Sequence, residues 1–321
     1  ALRSQKAEGR RQEEPEGFAV HFSGRRMKRK PIMTRLITVV ALFGLLAAGP
    51  AVAEAQELSV TPDVVYGHKY GMALTFDVFT PTNANGAAVL NMVSGGWRSQ
   101  WRPHEVSQRR YQGLLDAGFT VFAVRHGSSP KYVIPEIVPD VRRAVRYIRL
   151  NARRLGVDAS RLGVWGGSAG GHLSLMLGNA SDNGDPSSED PVLRVSNRVA
   201  AVVAYFPPVD LRPLARGASP EITNTRFPAL NFDRSEGSAY SPIVHVSADD
   251  PPTLLIHGDS DGLVDVSNSH EMFAALQEHG VVSEKIIIAG ADHGFRGEDA
   301  VLANTAMVDW FVDHLGTRST N

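Results

Sequence analysis

The chain has 321 residues, 43% hydrophobic and 21% charged, with a formal net charge of −1, which is ordinary for a globular α/β protein. Cysteine is absent, so the protein folds without disulfides and relies on its hydrophobic core. Because residues 1–55 hold ten Lys and Arg against five Glu, the rest of the chain is acidic, which argues against nucleic acid as a partner.

Residues 27–55 have the layout of a secretory signal peptide. A basic start at Met27 precedes an apolar stretch over 36–48 and small-residue cleavage candidates over 51–55. The apolar stretch is short for a membrane span, and the alternative is an uncleaved N-terminal anchor. We therefore expect a secreted or periplasmic protein with no stable membrane span after cleavage. Residues 1–26 precede this segment, and we expect them to be non-native or mis-annotated upstream sequence.

Strand and helix patterns alternate along the remaining domain, residues 56–321. Helices are expected at 106–117, 139–155 and 267–280, and a further apolar helix follows residue 168. This alternation predicts a mainly parallel sheet with helices on both faces. The strands are expected at 74–79, 87–93, 119–125, 162–165, 199–206, 252–257 and 285–289.

The helix predicted at 139–155 carries a row of arginines. We interpret them as a solvated face, with nucleic-acid binding as the less favoured alternative. The arginines are Arg142, Arg143, Arg146, Arg149, Arg153 and Arg154.

A G-x-S-x-G pentapeptide spans residues 166–170, between an apolar strand and an apolar helix. A serine on a sharp strand-to-helix turn needs small neighbours, and glycine also tolerates the unusual backbone angles. The turn would hold Ser168 at the carboxyl edge of the sheet. By itself the pentapeptide is equally consistent with an ordinary tight turn, so the later motifs decide its meaning.

Two later loops supply the partners that a serine nucleophile needs. One strand ends in a loop with Asp259 and Asp261, and the next is followed by His293 with glycines close on both sides. Loops at the same edge of a parallel sheet converge, so Ser168, Asp261 and His293 are expected to meet. There an imidazole takes the serine proton and a carboxylate orients the imidazole. Asp261 is preferred over Asp259, which suits a turn-shaping role.

These motifs make the chain resemble the α/β-hydrolase superfamily, specifically small esterases and lipases with an HGG-type oxyanion loop, including acetyl, acetyl-xylan and feruloyl esterase-like enzymes. The resemblance runs from about Leu58 to Leu315 and implies an α/β-hydrolase catalytic domain with a short lid-like insertion. In that family the pattern H-G-D-x-D-x-x-V places the triad acid at its second aspartate, here Asp261. The matching segments are 94–97, 166–172, 257–264 and 290–295.

The chain departs from the family at residues 94–97, where Ser-Gly-Gly-Trp replaces the usual His-Gly-Gly. The family pattern implies that the backbone N–H groups of Gly96, Trp97 and Ala169 form the oxyanion hole. Since these donors are backbone groups, loss of the histidine does not remove them, although it changes how the loop is braced.

A proline-rich segment at 207–251 interrupts the alternation of strands and helices. The family places lids and substrate-contacting segments here, and the shortness of the insertion favours an open site for small acyl groups. Trp97, Trp101 and Phe295 are candidate substrate-binding residues, with packing in the core as the alternative.

The sequence therefore predicts a secreted serine esterase acting on short-chain carboxylic esters, with acetyl or feruloyl groups on plant polysaccharides as candidate substrates. Neither a metal ion nor an organic cofactor is expected, and the expected partner is a small ester or an esterified polysaccharide. Two alternatives remain open: a peptidase or amidase of the same fold, and a non-catalytic binding protein on a hydrolase scaffold.

Overall fold

The computed structural model describes residues 58–215 and 221–316. These residues fall within one compact unit, Glu54–Asn321. The expectations for residues 1–26 and for the signal peptide at 27–55 lie outside the described residues.

Eight strands form one sheet in the order β1-β2-β4-β3-β5-β6-β7-β8. The six strands from β4 to β8 in this sheet order, which include β3, are parallel to their neighbours. Only β1 with β2 and β2 with β4 are antiparallel. This confirms the predicted, mostly parallel sheet. The strands are β1 Ser59–Lys69, β2 Met72–Thr80, β3 Ala88–Met92, β4 Thr120–Val124, β5 Leu162–Gly167, β6 Ala201–Tyr205, β7 Thr253–Gly258 and β8 Ser283–Ile288.

Helices cover both faces of this sheet. On one face α1 and α6 contribute apolar side chains to one buried cluster, and on the other α2, α4 and α5 contribute to a second. Among the described helices, none has both the length and the apolar character that crossing a membrane requires. The helices are α1 His104–Asp116, α2 Ile134–Leu150, α3 Ala152–Leu155, α4 Ala169–Asn179, α5 Ser267–Glu278 and α6 Gly297–Leu315.

Helix α2 begins at Ile134, earlier than the predicted start at residue 139. Glu136 accepts a hydrogen bond from the backbone N–H of Val133 at 3.1 Å, which satisfies one donor at the helix start. Pro135 lies in the first turn, where a missing N–H costs nothing. Pro139 is therefore an internal residue of the helix and does not mark its first turn.

The arginines of α2 hold a neighbouring loop in place, which corrects the interpretation of this part of the row as a solvated face. Arg153 and Arg154, in α3, are exposed as that interpretation expected. Arg143 forms an ion pair with Asp190 at 2.5 Å, and Arg146 bonds both Asp182 and the carbonyl of Val195. Arg149 donates to the carbonyls of Ser196 and Arg198. The segment 180–198 is irregular, so its carbonyls lack the hydrogen-bond donors that a helix or a sheet would provide. These guanidinium groups donate to them instead.

Candidate active site

Ser168 lies on a strained turn between β5 and α4. Its φ of 55° and ψ of −122° are unfavourable for a residue with a Cβ, and such strain is typical of functional turns. The backbone N–H of Ser168 donates to the carbonyl of Tyr205 at 2.8 Å, which ties the turn to β6. The flanking glycines are required by space: a Cβ on Gly166 would lie 2.4 Å from Gly170, and one on Gly170 would lie 2.6 Å from the carbonyl oxygen of Met92.

Asp261 and His293 form a direct pair at the same edge of the sheet. The Nδ1 of His293 lies 2.8 Å from Oδ2 of Asp261, whose side chain is completely buried. The other oxygen of Asp261 accepts the backbone N–H groups of Leu263 and Val264 at 2.8 and 2.9 Å. The carboxylate is therefore fixed, and it holds the His293 tautomer in which Nε2 is free to accept a proton.

The other two carboxylates in these loops bind backbone groups. Asp259 accepts the N–H of Gly290 at 2.6 Å, and Asp292 accepts those of His293 and Gly262 at 2.6 and 3.2 Å. These backbone hydrogen bonds, the one from His293 first, hold the pKa of Asp292 below its usual range. Both residues shape the turns around the pair that Asp261 forms with His293.

A cavity of about 640 Å³ connects Ser168 with the loop of His293. Its wall includes Ser168, Phe206 and the two residues that follow His293, Gly294 and Phe295. The ring of Phe206 lies 4.6 Å from that of His293 and packs against Gly167, next to the serine. Phe206 itself has a φ of 37°, so backbone strain recurs at this point. The structure thus pairs Asp261 with His293 and places Ser168 in the wall of the cavity that the loop of His293 also lines.

The expected oxyanion donors lie on a two-residue turn. Gly95 and Arg98 exchange backbone hydrogen bonds of 3.0 Å, and the residues between them, Gly96 and Trp97, have φ values of 56° and 57°. Positive φ at both central residues is the pattern of a type I′ turn. Within the described part of the chain, neither central N–H has an acceptor. Ala169 opens α4, where the first N–H groups are also unsatisfied by the helix.

His172, which the sequence analysis did not single out, anchors this turn. The indole N–H of Trp97 donates to Nδ1 of His172 at 3.2 Å, and the opposite ring nitrogen bonds the carbonyl of Tyr240 at 2.8 Å. Nδ1 accepts, so Nε2 carries the proton. Complete burial lowers the pKa of His172 to about 4, which keeps the ring neutral. The ring therefore connects the turn, α4 and the insertion.

His126 braces the serine that replaces the family histidine. Its Nδ1 bonds the carbonyl of Gly127 at 2.8 Å and must donate, so Nε2 accepts the hydroxyl of Ser94 at 2.9 Å. Burial lowers the pKa of His126 to about 4. Ser94 also lines the cavity. The loop is thus held from β4 by a histidine distant in sequence.

The three candidate substrate-binding side chains have different positions. Phe295 lines the cavity. Trp97 is buried against His172 and Phe227, and its side chain packs in the core as the alternative interpretation had it. Trp101 is 56% exposed and packs on His104. Among the described residues that line the cavity, neither tryptophan is present.

A family model described as BD-FAE matches residues 76–276, which include every strand from β3 to β7 and the loop of Asp261. The chain belongs to the BD-FAE family. The match confirms the resemblance to small esterases of the α/β-hydrolase superfamily.

Curated relatives of this BD-FAE chain include ester hydrolases. It is 28% identical to the probable carboxylic ester hydrolase LipM of Mycobacterium tuberculosis, over 67% of this chain and 51% of LipM. It is 26% identical to the acetylxylan esterase of Xylanibacter ruminicola, over 68% of this chain and 42% of that protein. The BD-FAE chain thus spans about half the length of these relatives.

Solved structures share its fold. A truncated carbohydrate esterase from gut microbiota matches with a TM-score of 0.67 and 26% identity, over 81% of this chain and 97% of that one. The acetyl ester-xyloside bifunctional hydrolase of Caldicellulosiruptor lactoaceticus matches with a TM-score of 0.64 and 27% identity, over 78% and 92%. The predicted α/β-hydrolase fold of the BD-FAE chain is therefore confirmed.

Proposed function

We propose that this BD-FAE protein is a serine esterase that hydrolyses short-chain carboxylic esters. The observation that carries the proposal is the buried Asp261 carboxylate paired with His293 at 2.8 Å, with Ser168 on a strained turn in the wall of the adjoining cavity. An imidazole oriented by a carboxylate is the group that activates a serine hydroxyl, which is otherwise a weak nucleophile.

In the proposed reaction, Oγ of Ser168 attacks the ester carbonyl carbon while Nε2 of His293 takes the serine proton. The N–H groups of Gly96, Trp97 and Ala169 stabilise the oxyanion, a contribution of about 3–4 kcal/mol for each donor in comparable enzymes. Collapse of the tetrahedral intermediate breaks the bond to the alcohol, which leaves with the proton from His293. Water then attacks the acyl-enzyme by the same route, which releases the acid and restores Ser168.

Acetyl or feruloyl groups on plant polysaccharides are the proposed substrates. The names of two similar proteins, an acetylxylan esterase and an acetyl ester-xyloside bifunctional hydrolase, support the acetyl part of this proposal. The cavity is of ligand size, and the described part of the insertion after β6 includes short helical turns over 221–226, 228–230, 234–240 and 242–245. We further propose export of the protein, on the signal-peptide pattern of residues 27–55.

The test is a substrate panel with a nucleophile variant. The wild type should hydrolyse nitrophenyl acetate and butyrate, acetylated xylan or a feruloyl ester, and Ser168→Ala should lower kcat by about 10⁵-fold or more while melting at the same temperature. A peptide nitroanilide in the panel separates an esterase from a peptidase. Turnover close to wild type in folded Ser168→Ala would remove the assignment, and silence of the wild type on all substrates would favour a binding protein.

A further inference from the structure

The wall of the catalytic cavity is strongly cationic, although the whole chain is nearly neutral. Among the described residues of this wall, the charged side chains are four arginines and one aspartate, Asp77. A cavity lined by one sign of charge concentrates ligands of the opposite sign. The arginines are Arg98, Arg102, Arg110 and Arg125.

One of the four arginines is neutralised within the fold. Arg125 binds both oxygens of Asp77 at 2.6 and 2.9 Å and also contacts Asp63 at 2.7 Å. Its Nε and Nη2 also donate to the hydroxyl oxygen of Thr75. This guanidinium connects β2 to the end of β4. It also pairs with Asp77, the only carboxylate among the described residues of the cavity wall.

The other three arginines have no carboxylate partner among the described residues. Arg98 closes the turn that carries the expected oxyanion donors, and Arg102 follows in the same loop. Arg110 extends from α1, with its guanidinium carbon 5.0 Å from the centre of the Trp165 ring. This stacking positions the side chain while leaving its N–H groups for a ligand.

We propose that the cavity binds esters that carry a carboxylate, as in the O-acetylated uronic acid units of an acidic polysaccharide. Guanidinium groups bind carboxylates through paired, charge-assisted hydrogen bonds. Three unpaired guanidinium groups beside the nucleophile therefore fit an anionic substrate better than a neutral xylan backbone. The inference rests on the proposed esterase function and specifies its substrate class.

Matched ester pairs measure this preference directly. For the alcohol side, 4-acetoxybenzoate is compared with its methyl ester, which lacks the charge. For the acyl side, the mono-4-nitrophenyl ester of glutaric acid is compared with 4-nitrophenyl pentanoate. If the arginine variants lower the preference for the charged ester in only one pair, that pair shows whether the alcohol or the acyl part of the substrate carries the carboxylate. Acetylated polygalacturonate is then compared with acetylated xylan.

The variants are Arg102→Gln, Arg110→Gln and their combination, and the readout is the anionic-to-neutral ratio of kcat/KM within one pair. We expect the double variant to lower this ratio about tenfold, the size of one charge-assisted hydrogen bond. Arg109→Gln is the matched control, since Arg109 is an exposed arginine of α1 outside the cavity wall, and its ratio should equal that of the wild type. Arg98 is left unchanged because it closes the oxyanion turn.

Ionic strength gives a second, independent readout. Because Arg102 and Arg110 are exposed, added salt should lower the wild-type ratio, and the double variant, which keeps Arg98, should show a weaker dependence. If the double variant loses kcat/KM equally on both esters of each pair, or on neither, the ratio is unchanged. That result would overturn the carboxylate preference while leaving the esterase function intact. A wild type inactive on every ester would instead overturn the proposed function itself.

Discussion

Asp261 and Asp259 differ in what their oxygens bind, although they are two residues apart on one loop. The side chain of Asp261 is completely buried, with one oxygen accepting two backbone N–H groups and the other facing the ring of His293. His257, also buried, places its Nε2 3.3 Å from the same oxygen. Asp259 is exposed and binds the backbone of Gly290. Only Asp261 is therefore placed to set the tautomer of the proposed base.

We predict that Asp261→Asn lowers kcat by about 10³–10⁴-fold, because an amide in this position favours the wrong imidazole tautomer. Steady-state kinetics on nitrophenyl acetate measure the effect. Asp259→Asn is the matched control and keeps activity within a few-fold, since its amide oxygen still accepts the Gly290 N–H. The reverse ranking of the two variants would show that the acid has been assigned to the wrong aspartate.

At the scale of elements, side chains of α2 hold the irregular segment 180–198 in place. Arg146 is only 9% exposed, and its guanidinium binds the carbonyl of Val195 at 2.9 Å and the carboxylate of Asp182. Val195 is half-buried, and a hydrogen bond that a charged group donates to such a carbonyl contributes about 1.5–3 kcal/mol. The stability of the whole segment therefore depends on this helix.

We predict that Arg146→Gln lowers the free energy of unfolding by about 2 kcal/mol, mainly through the lost hydrogen bond to the Val195 carbonyl, with a smaller part from the half-exposed ion pair with Asp182. Urea denaturation measures it. Arg153→Gln, an exposed arginine of the adjoining α3, should stay within about 0.5 kcal/mol of the wild type. Equal stability of both variants would restore the interpretation of the arginine row as a solvated face.

The site loops were predictable because their signals are local. Ser168 lies in a glycine-flanked pentapeptide, and Asp261 and His293 directly follow apolar strands. The partners of Arg146 and Trp97 were not predictable, because Asp182 and His172 are distant in sequence and have no motif of their own. Strand β1 was missed since its exposed and buried residues do not alternate cleanly, and its register with β2 shifts twice.

At the scale of the whole molecule, His126 and His172 are neutral histidines buried in the interior. Burial lowers the pKa of both His126 and His172 to about 4, against about 6.5 for an ordinary histidine. At pH values between about 4 and 6.5, these two histidines are protonated in the unfolded chain and neutral in the folded chain. The stabilisation is therefore complete above about pH 6.5 and is lost as the pH falls toward 4.

We predict that the free energy of unfolding declines between pH 6.5 and 4, with up to about 3 kcal/mol from each histidine. Urea denaturation at several pH values gives the slope. His172→Asn keeps an acceptor for Trp97 but cannot be protonated. Its free energy of unfolding should therefore depend less steeply on pH, by up to one proton taken up on unfolding. A variant slope identical to that of the wild type would contradict a neutral buried His172.

The contact of His172 with Trp97 and Tyr240 limits how this protein can be recombined with its relatives. The insertion at 207–251 is a natural module to exchange when substrate range is engineered, since it lies between two strands. Its Tyr240 carbonyl, however, sets the tautomer of the ring that anchors the turn of Gly96 and Trp97, the proposed oxyanion donors. A chimera whose donor loop lacks a carbonyl at this point would change reactivity along with specificity, so residues 97, 172 and 240 should be transplanted together.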